Sequence, residues 1–332
     1  MPTFWILAGV LTACSFFKSK QESAKHDINP APRAAFRAAR LTPTTFVLSE
    51  YNDVYREHPQ IYVKIIPAAR TILIIDTGCG GATVDPDIEM TSLRRYIEEV
   101  KLDCNGGAAL NEVKNTEYVV VLSHCHYDHI LGVEQFRDSP ILVSSHSPSF
   151  VSKSNLPTHS LCESLGIETP TYIPTLVPHQ HTIHSRTRVS LGVSILHTPG
   201  HTPDELAVYD AAEKMLYVGD SLYEEEAIIF PKEGSIVEWK TSIEYLIAFV
   251  KGENQTGQVR INSGHRTVCQ PALEVLDAAK EFMEDVVSGR VPVRERVTVR
   301  GEENVVYQQK GGRFALRCPE RLVLAARKMS EV

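Results

Sequence analysis

No run of this chain reaches the roughly 18 consecutive apolar residues that a membrane-spanning helix needs, so no membrane span is expected. Positive charge is also short. Lys and Arg number 34 against 41 Asp and Glu, for a formal net charge of −7. A general nucleic-acid binder would carry a basic stripe, and the acidic balance argues against nucleic acid as a partner. Paired cysteine spacing is missing too. The cysteines at 14, 79, 104, 125, 162, 269 and 318 form an odd, scattered set, which reads as reduced thiols and not as a disulfide framework. No internal repeat is visible.

The N-terminus, "MPTFWILAGVLTACSFF", is apolar for about the length of a signal core, yet no Lys or Arg precedes it. "LTAC" at 11–14 is similar to a bacterial lipoprotein cleavage box, which would lipidate Cys14. The missing basic flank favours a cytoplasmic protein with an apolar leader over a secreted or lipid-anchored one. "NQT" at 254–256 would be a glycosylation acceptor only in a secreted chain.

Residues 18–43 are polar, basic and proline-containing, so 1–43 is expected to be leader and arm. A single folded domain is expected over 44–290, with 291–332 as a C-terminal extension packed on it. "IYVKII" (61–66) and "TILIIDTG" (71–78) form a hairpin signature, and "TSLRRYIEEV" (91–100) places Leu93, Tyr96, Ile97 and Val100 on one helical face. A fully buried strand is expected at "EYVVVLS" (117–123), with further strands at "ILVSS" (141–145), "VSLGVSILHTPG" (189–200), "ELAVYD" (205–210) and "KMLYVGD" (214–220) and a short one at "VRINSG" (259–264). Ser235 and Glu238 open a helix with a capping box, and Pro271 and Gly289 bracket another. The tail predicts a hairpin around Gly311–Gly312 and a last helix. Residues 146–186, rich in histidine and proline, read as irregular loops facing substrate. Strand runs followed by helices, twice over, imply two packed sheets with helices outside.

What is present in excess is imidazole and carboxylate at strand ends. "VVVLSHCHYDHILG" (119–132) places His124, His126, Asp128 and His129 directly after an apolar run. Buried side by side without a counter-charge, such groups cost solvation energy, so a cation is expected to hold them. The same grammar recurs at His201, Asp220 and His265, each just past a strand. Cys125 lies between two of these residues and reads as packing. His146, His159, His179, His181, His184 and His197 read as loop polars, with 179, 181 and 184 candidates for the mouth of a site.

The run His-x-His-x-Asp-His, with "TPGHT", "YVGDS" and "NSGHR" after it, resembles the signature of the metallo-β-lactamase superfamily over roughly residues 48–268. The resemblance implies an α/β fold, an αββα sandwich of two mixed sheets with the metal site at the strand ends. It implies two zinc ions per chain. One would take His124, His126 and His201, the other Asp128, His129 and His265, with Asp220 bridging. Asp76, in "LIIDTG", would order the metal loop without binding metal. Imidazole suits zinc, and a bridging carboxylate suits two cations roughly 3.5–4 Å apart.

Asp220 stands where the classical β-lactamases of the family carry cysteine, which turns the expectation towards the lactonase, thioesterase and phosphodiesterase branches. The expected activity is hydrolysis of a small ester, lactone or thioester, its carbonyl attacked by a hydroxide bridging the metals. Asp128 would accept or relay a proton. Tyr223, three residues past Asp220, would donate a hydrogen bond to the oxyanion as in the lactonases; packing under the loop is the competing role. Residues 146–186 and 223–234 would wall the pocket. Expected partners are a small-molecule substrate and no nucleic acid, with a homodimer left open. The alternatives are a mononuclear iron enzyme similar to the sulfur dioxygenases, a phosphodiesterase of the same fold, and a non-catalytic binding protein.

Overall fold

A computed structural model describes residues 33–112, 116–253 and 256–330. The apolar leader, Cys14 and the asparagine of "NQT" lie outside the described residues. Strands β1 (Phe36–Arg40), β2 (Thr45–Glu50), β3 (Gln60–Ile66) and β4 (Thr71–Ile75) form an antiparallel meander. Helix α1 (Leu93–Glu99) follows, capped by the Ser92 side chain, and then β5 (Glu117–Val121) joins β4 in parallel. A short helix α2 (Tyr127–Ile130) carries part of the histidine run; β6 (Ile141–Ser144), short helices α3 (Leu156–His159) and α4 (Cys162–Leu165), and β7 (Pro174–Val177) come next. These seven strands make one sheet in the order β1 to β7.

A second sheet holds β8 (His181–His184), β9 (Ser190–His197), β10 (Leu206–Asp210), β11 (Met215–Tyr217), β13 (Arg260–Asn262) and β14 (Gln270–Pro271), after the short β12 (Ala227–Ile229) and helix α5 (Ile236–Gly252). Ser235 Oγ accepts from Glu238 N, as the capping box requires. Helix α6 (Ala272–Val287), strands β15 (Glu295–Val299), β16 (Glu302–Gln308) and β17 (Ala315–Pro319), and helix α7 (Glu320–Ser330) complete the chain.

Three apolar layers make this an αββα sandwich. Between the sheets lie Val47, Leu73, Ile75, Val119 and Val121 from one face and Val193, Ile195, Val208 and Tyr217 from the other. Alternate residues of the first sheet, among them Phe46, Ile72, Ile74 and Val120, pack outward with Leu93, Tyr96 and Ile97 of α1. The second sheet buries Leu196, Leu216 and Ile261 against α5, α6 and α7. Period-two alternation thus gives each central strand two buried faces, as its nearly continuous apolar run implies.

Three features depart from the sequence reading. Residues 36–40, placed in the arm, form β1: Phe36 is buried against the Tyr96 ring at 5.4 Å while Arg37 faces water, the polar dressing of an edge strand. The stretch 146–186 is not wholly irregular, because β7 and β8 extend the two sheets at their edges. The tail builds a third sheet in the order β12-β17-β16-β15, where only a hairpin and a helix were expected.

Candidate metal centre

The centre forms where strands of both sheets stop. Asp76 follows β4 in the left-handed region, at φ 62°, and its carboxylate accepts from Ser123 N at 2.7 Å, Ser123 Oγ at 2.8 Å and His129 Nδ1 at 3.0 Å. Those three bonds fold the loop after β5 so that His124, His126, Asp128 and His129 converge. Asp76 itself stands behind the loop, as the resemblance implied.

The seven expected ligands separate into two groups. His124 Nε2 lies 2.9 Å and His201 Nε2 3.1 Å from His126 Nδ1. The three imidazoles are buried. Desolvation, with the neighbouring imidazoles, pushes His124 well below its ordinary value. The same cause lowers His126 to about 3 and His201 to about 4. Three neutral nitrogens aimed at one point repel protons and suit a cation.

The second group is Asp128, His129, Asp220 and His265. His129 Nε2 lies 3.4 Å from both Asp128 Oδ2 and Asp220 Oδ1, and His265 Nε2 lies 3.2 Å from Asp128 Oδ2 and 3.5 Å from Asp220 Oδ2. Burial opposes charge on His265, but Asp220 and Asp128 outweigh it and raise this group to about 10. Burial likewise pushes both carboxyls up, and the two imidazoles overcome it and hold them well below the usual range. Asp220 Oδ2 also stands 4.0 Å from His201 Nε2, so this carboxylate faces both groups.

The donor set fits two divalent cations. Each group offers ligand atoms within 4.8 Å of one another, and His129 Nε2 and Asp220 Oδ1 are buried without a hydrogen-bond partner. Imidazole and carboxylate left in that state cost several kcal/mol unless a cation completes them.

Residues not singled out from sequence support the ligands. Glu205, wholly buried at the head of β10, accepts from Asp220 N at 3.0 Å and brings Oε2 within 3.6 Å of His124 Nδ1. The backbone carbonyl of Glu57 accepts from His265 Nδ1 at 2.9 Å, and the Glu57 carboxylate accepts from the Tyr127 hydroxyl. An acid opening the apolar run "ELAVYD" was the available signal for Glu205; nothing local marks Glu57. Gly264 is required by space, since a Cβ there would stand 2.3 Å from Asp220 Oδ1 and 2.6 Å from His129 Cε1.

The centre is the floor of a cavity of about 610 Å³ that exposes His126, Asp128, His201, Asp220 and His265. Thr158, Leu161, Glu163 and Ser164 wall one side and residues of 223–233 another, as expected. Among the described residues His179, His181 and His184 do not line it. Tyr223 does, but its hydroxyl donates to the Ala227 carbonyl at 2.9 Å. The phenol has one proton, and in this structure it is given to the backbone and not to an oxyanion position. Cys125 is buried in the outer apolar layer and belongs to neither ligand group.

Comparison with known proteins agrees with this geometry. The family model described as "Metallo-beta-lactamase superfamily" matches residues 69–256. The chain is 33% identical to the "Putative transcription factor avaE" of Aspergillus versicolor over 92% of both chains. It is 22% identical to the human acyl-coenzyme A thioesterase MBLAC2, over 56% of this chain and 63% of that one. Among solved structures, a metallo-beta-lactamase family protein of Thermus thermophilus shares the fold with a TM-score of 0.55 at 14% identity, covering 78% of this chain and 86% of that one.

Proposed function

This chain belongs to the metallo-β-lactamase superfamily, and from that premise we propose that it is a binuclear zinc hydrolase of a small ester, lactone or thioester. The observation that carries the reading is the split of seven buried ligands into a neutral three-imidazole group and a two-carboxylate, two-imidazole group on one cavity floor. His124, His126 and His201 would hold one ion and Asp128, His129 and His265 the other, with Asp220 between them. Two divalent ions there would polarise a carbonyl and make water a stronger acid.

The chain's own groups do the rest. Asp76 and Glu205 hold His129, the loop and the Asp220 backbone in place before substrate arrives. Asp128 lines the cavity with Oδ2 engaged by His265 and His129, and its carboxylate would accept a proton from water or relay it. The buried Phe230 ring and the more exposed Ile229 give the cavity an apolar stretch of wall. The thioesterase name of the human relative supports an acyl substrate.

The name of the Aspergillus protein raises a nucleic-acid role. A net charge of −7 and a concave site with buried ligands support the hydrolase better. Metal analysis followed by a panel of lactones, aryl esters, thioesters and phosphodiesters tests the proposal. About two zinc ions per chain with carbonyl-ester turnover is the expected result. A single iron ion without hydrolysis would move the chain to the dioxygenase alternative.

A further inference from the structure

Strands β15, β16 and β17 of the third sheet give the cavity a wall that the family match does not cover, since the match ends at residue 256. In β17, Leu316 and Cys318 point into the apolar layer under α5, α6 and α7. The residues between and after them, Arg317 and Pro319, line the cavity instead. Arg317 pairs in register with Ile229, and its carbonyl accepts from Phe230 N at 2.8 Å. The Phe230 ring lies 6.0 Å from the His201 ring. Arg317 therefore stands one strand away from a residue in contact with the metal centre.

Its neighbours on the wall are acidic, yet each acid is already engaged. Glu302 pairs with Arg321 at 2.7 Å, Glu233 with Lys232 at 3.5 Å and Glu226 with Arg266. Glu163 accepts from the Thr158 hydroxyl, and Glu57 from Tyr127. Among the described residues Arg317 has no side-chain hydrogen bond or ion pair, and its Nε is buried without a partner. Arg300, on the same wall, is exposed and can be satisfied by water. A desolvated N–H left unpaired costs about 1–3 kcal/mol. That Nε is out of reach of the cavity, whereas the Nη atoms are not among the buried ones, and a planar anion on the Nη edge would give the guanidinium the partner that the protein withholds.

We infer that Arg317 is the specificity residue of this cavity and that the substrate bears a carboxylate remote from its reacting carbonyl. This deepens the hydrolase proposal and rests on it for the position of the carbonyl. A monoacid offers one carboxylate, which the metal centre can take, whereas a diacid offers a second for Arg317.

The test is calorimetric titration of metal-loaded protein with diacids of four to seven carbons and with monoacids of matched length. Wild type, Arg317→Gln and Arg317→Lys are compared after equal metal content and equal melting temperature have been checked. Wild type is expected to prefer the diacid of one length by about 10-fold or more, the scale of a charge-assisted pair. Arg317→Gln should erase the preference, and Arg317→Lys, a point charge without the fork, should restore only part of it. No diacid preference at any length, or one that survives in Arg317→Gln, overturns the assignment. Tighter binding of 3-phosphonopropionate than of any diacid, with the excess lost in Arg317→Gln, overturns the carboxylate in favour of a phosphate-type group. The titrations need no turnover, so failure of hydrolysis and failure of the Arg317 contact are separate results.

Discussion

β10 has a buried charge cluster at each end, and the two are built on opposite plans. At its start, Leu206 N donates to Ser123 O at 2.9 Å beside the histidine loop, and Glu205 supports Asp220. At its finish, Asp210 is ion-paired with Lys64 Nζ at 2.5 Å, and Lys64 also reaches Glu213 at 3.0 Å. Thr44 and Thr45 hydroxyls donate to Glu213 at 2.6 and 2.5 Å. The Lys64 cluster contains its own cation and its own donors. The histidine cluster contains neither a lysine nor an arginine, and its carboxylates face only imidazoles. Carboxylates paired with a lysine tie the sheets together, whereas carboxylates paired with imidazoles can exchange the imidazole protons for a metal ion.

The sharpest way to break this contrast is to remove a ligand. His126→Ala should take away most of one metal ion and lower turnover on the best substrate by on the order of 10³-fold, since Lewis-acid stabilisation is worth several kcal/mol. Elemental analysis checks the first part and steady-state rates the second. Chelation of wild type should lower its melting temperature through loss of native-state ligand binding. A chelated protein that melts where the loaded one does would remove the distinction between the two clusters.

Gly264→Ala comes next in size. Its methyl would collide with Asp220 Oδ1 and the His129 ring, so the carboxylate that faces both groups must shift. Metal affinity should fall by about 10- to 100-fold, the range seen when a ligand's support is disturbed. Competition with a chromophoric chelator measures this. An unchanged affinity would show that the floor tolerates displacement and is less fixed than its geometry suggests.

What could be read from the sequence follows the same divide between local and remote. The residues that converge in the candidate centre were legible because each follows an apolar strand, so that fold and chemistry are written within a few residues, as at "VGDS" and "SGHR". The central strands were legible because burial on both faces makes them continuous apolar runs. β1 was not, since an edge strand needs only one buried side chain, Phe36, and is otherwise polar. The third sheet was not, because β12, between Asp220 and α5, joins β17 nearly ninety positions later and no local pattern records that pairing. Arg317 belongs to that class of information. Its alternation with Leu316 and Cys318 marks a strand face, but the sequence does not say that the face looks into the cavity.

The Lys64 cluster predicts a pH effect of opposite character. Burial pushes the Glu213 carboxyl up, but the threonine hydroxyls and Lys64 overcome it and hold it at about 2. A depressed folded value contributes stability that is complete above the unfolded carboxyl range and is lost as pH falls through the folded value. Glu213→Gln should therefore cost about 2 kcal/mol at neutral pH, shrinking to near zero as pH approaches 2. Urea denaturation of both proteins with and without chelator measures it. A cost that depends on metal, or that is flat with pH, would mean that the two ends of β10 do not act separately.

Tyr223→Phe should have the smallest effect, and it probes the boundary between floor and wall. The sequence reading offered its hydroxyl either an oxyanion role, for which removing one donor lowers turnover by about 10²-fold or more, or packing under the loop. The structure commits that hydroxyl to Ala227 O at 2.9 Å, on the first residue of β12, and packs the ring 5.3 Å from that of His265. The bond ties the Asp220 loop to the third sheet, so its loss should appear as stability. About 1 kcal/mol is expected, the ordinary net worth of a neutral hydrogen bond. Metal content should stay at the wild-type level and turnover should change by no more than about 3-fold, because no transition-state contact is removed. A 10²-fold fall in turnover at unchanged melting temperature would be the opposite pattern. It would require the hydroxyl to leave Ala227 when substrate binds, and would return Tyr223 to the floor of the site.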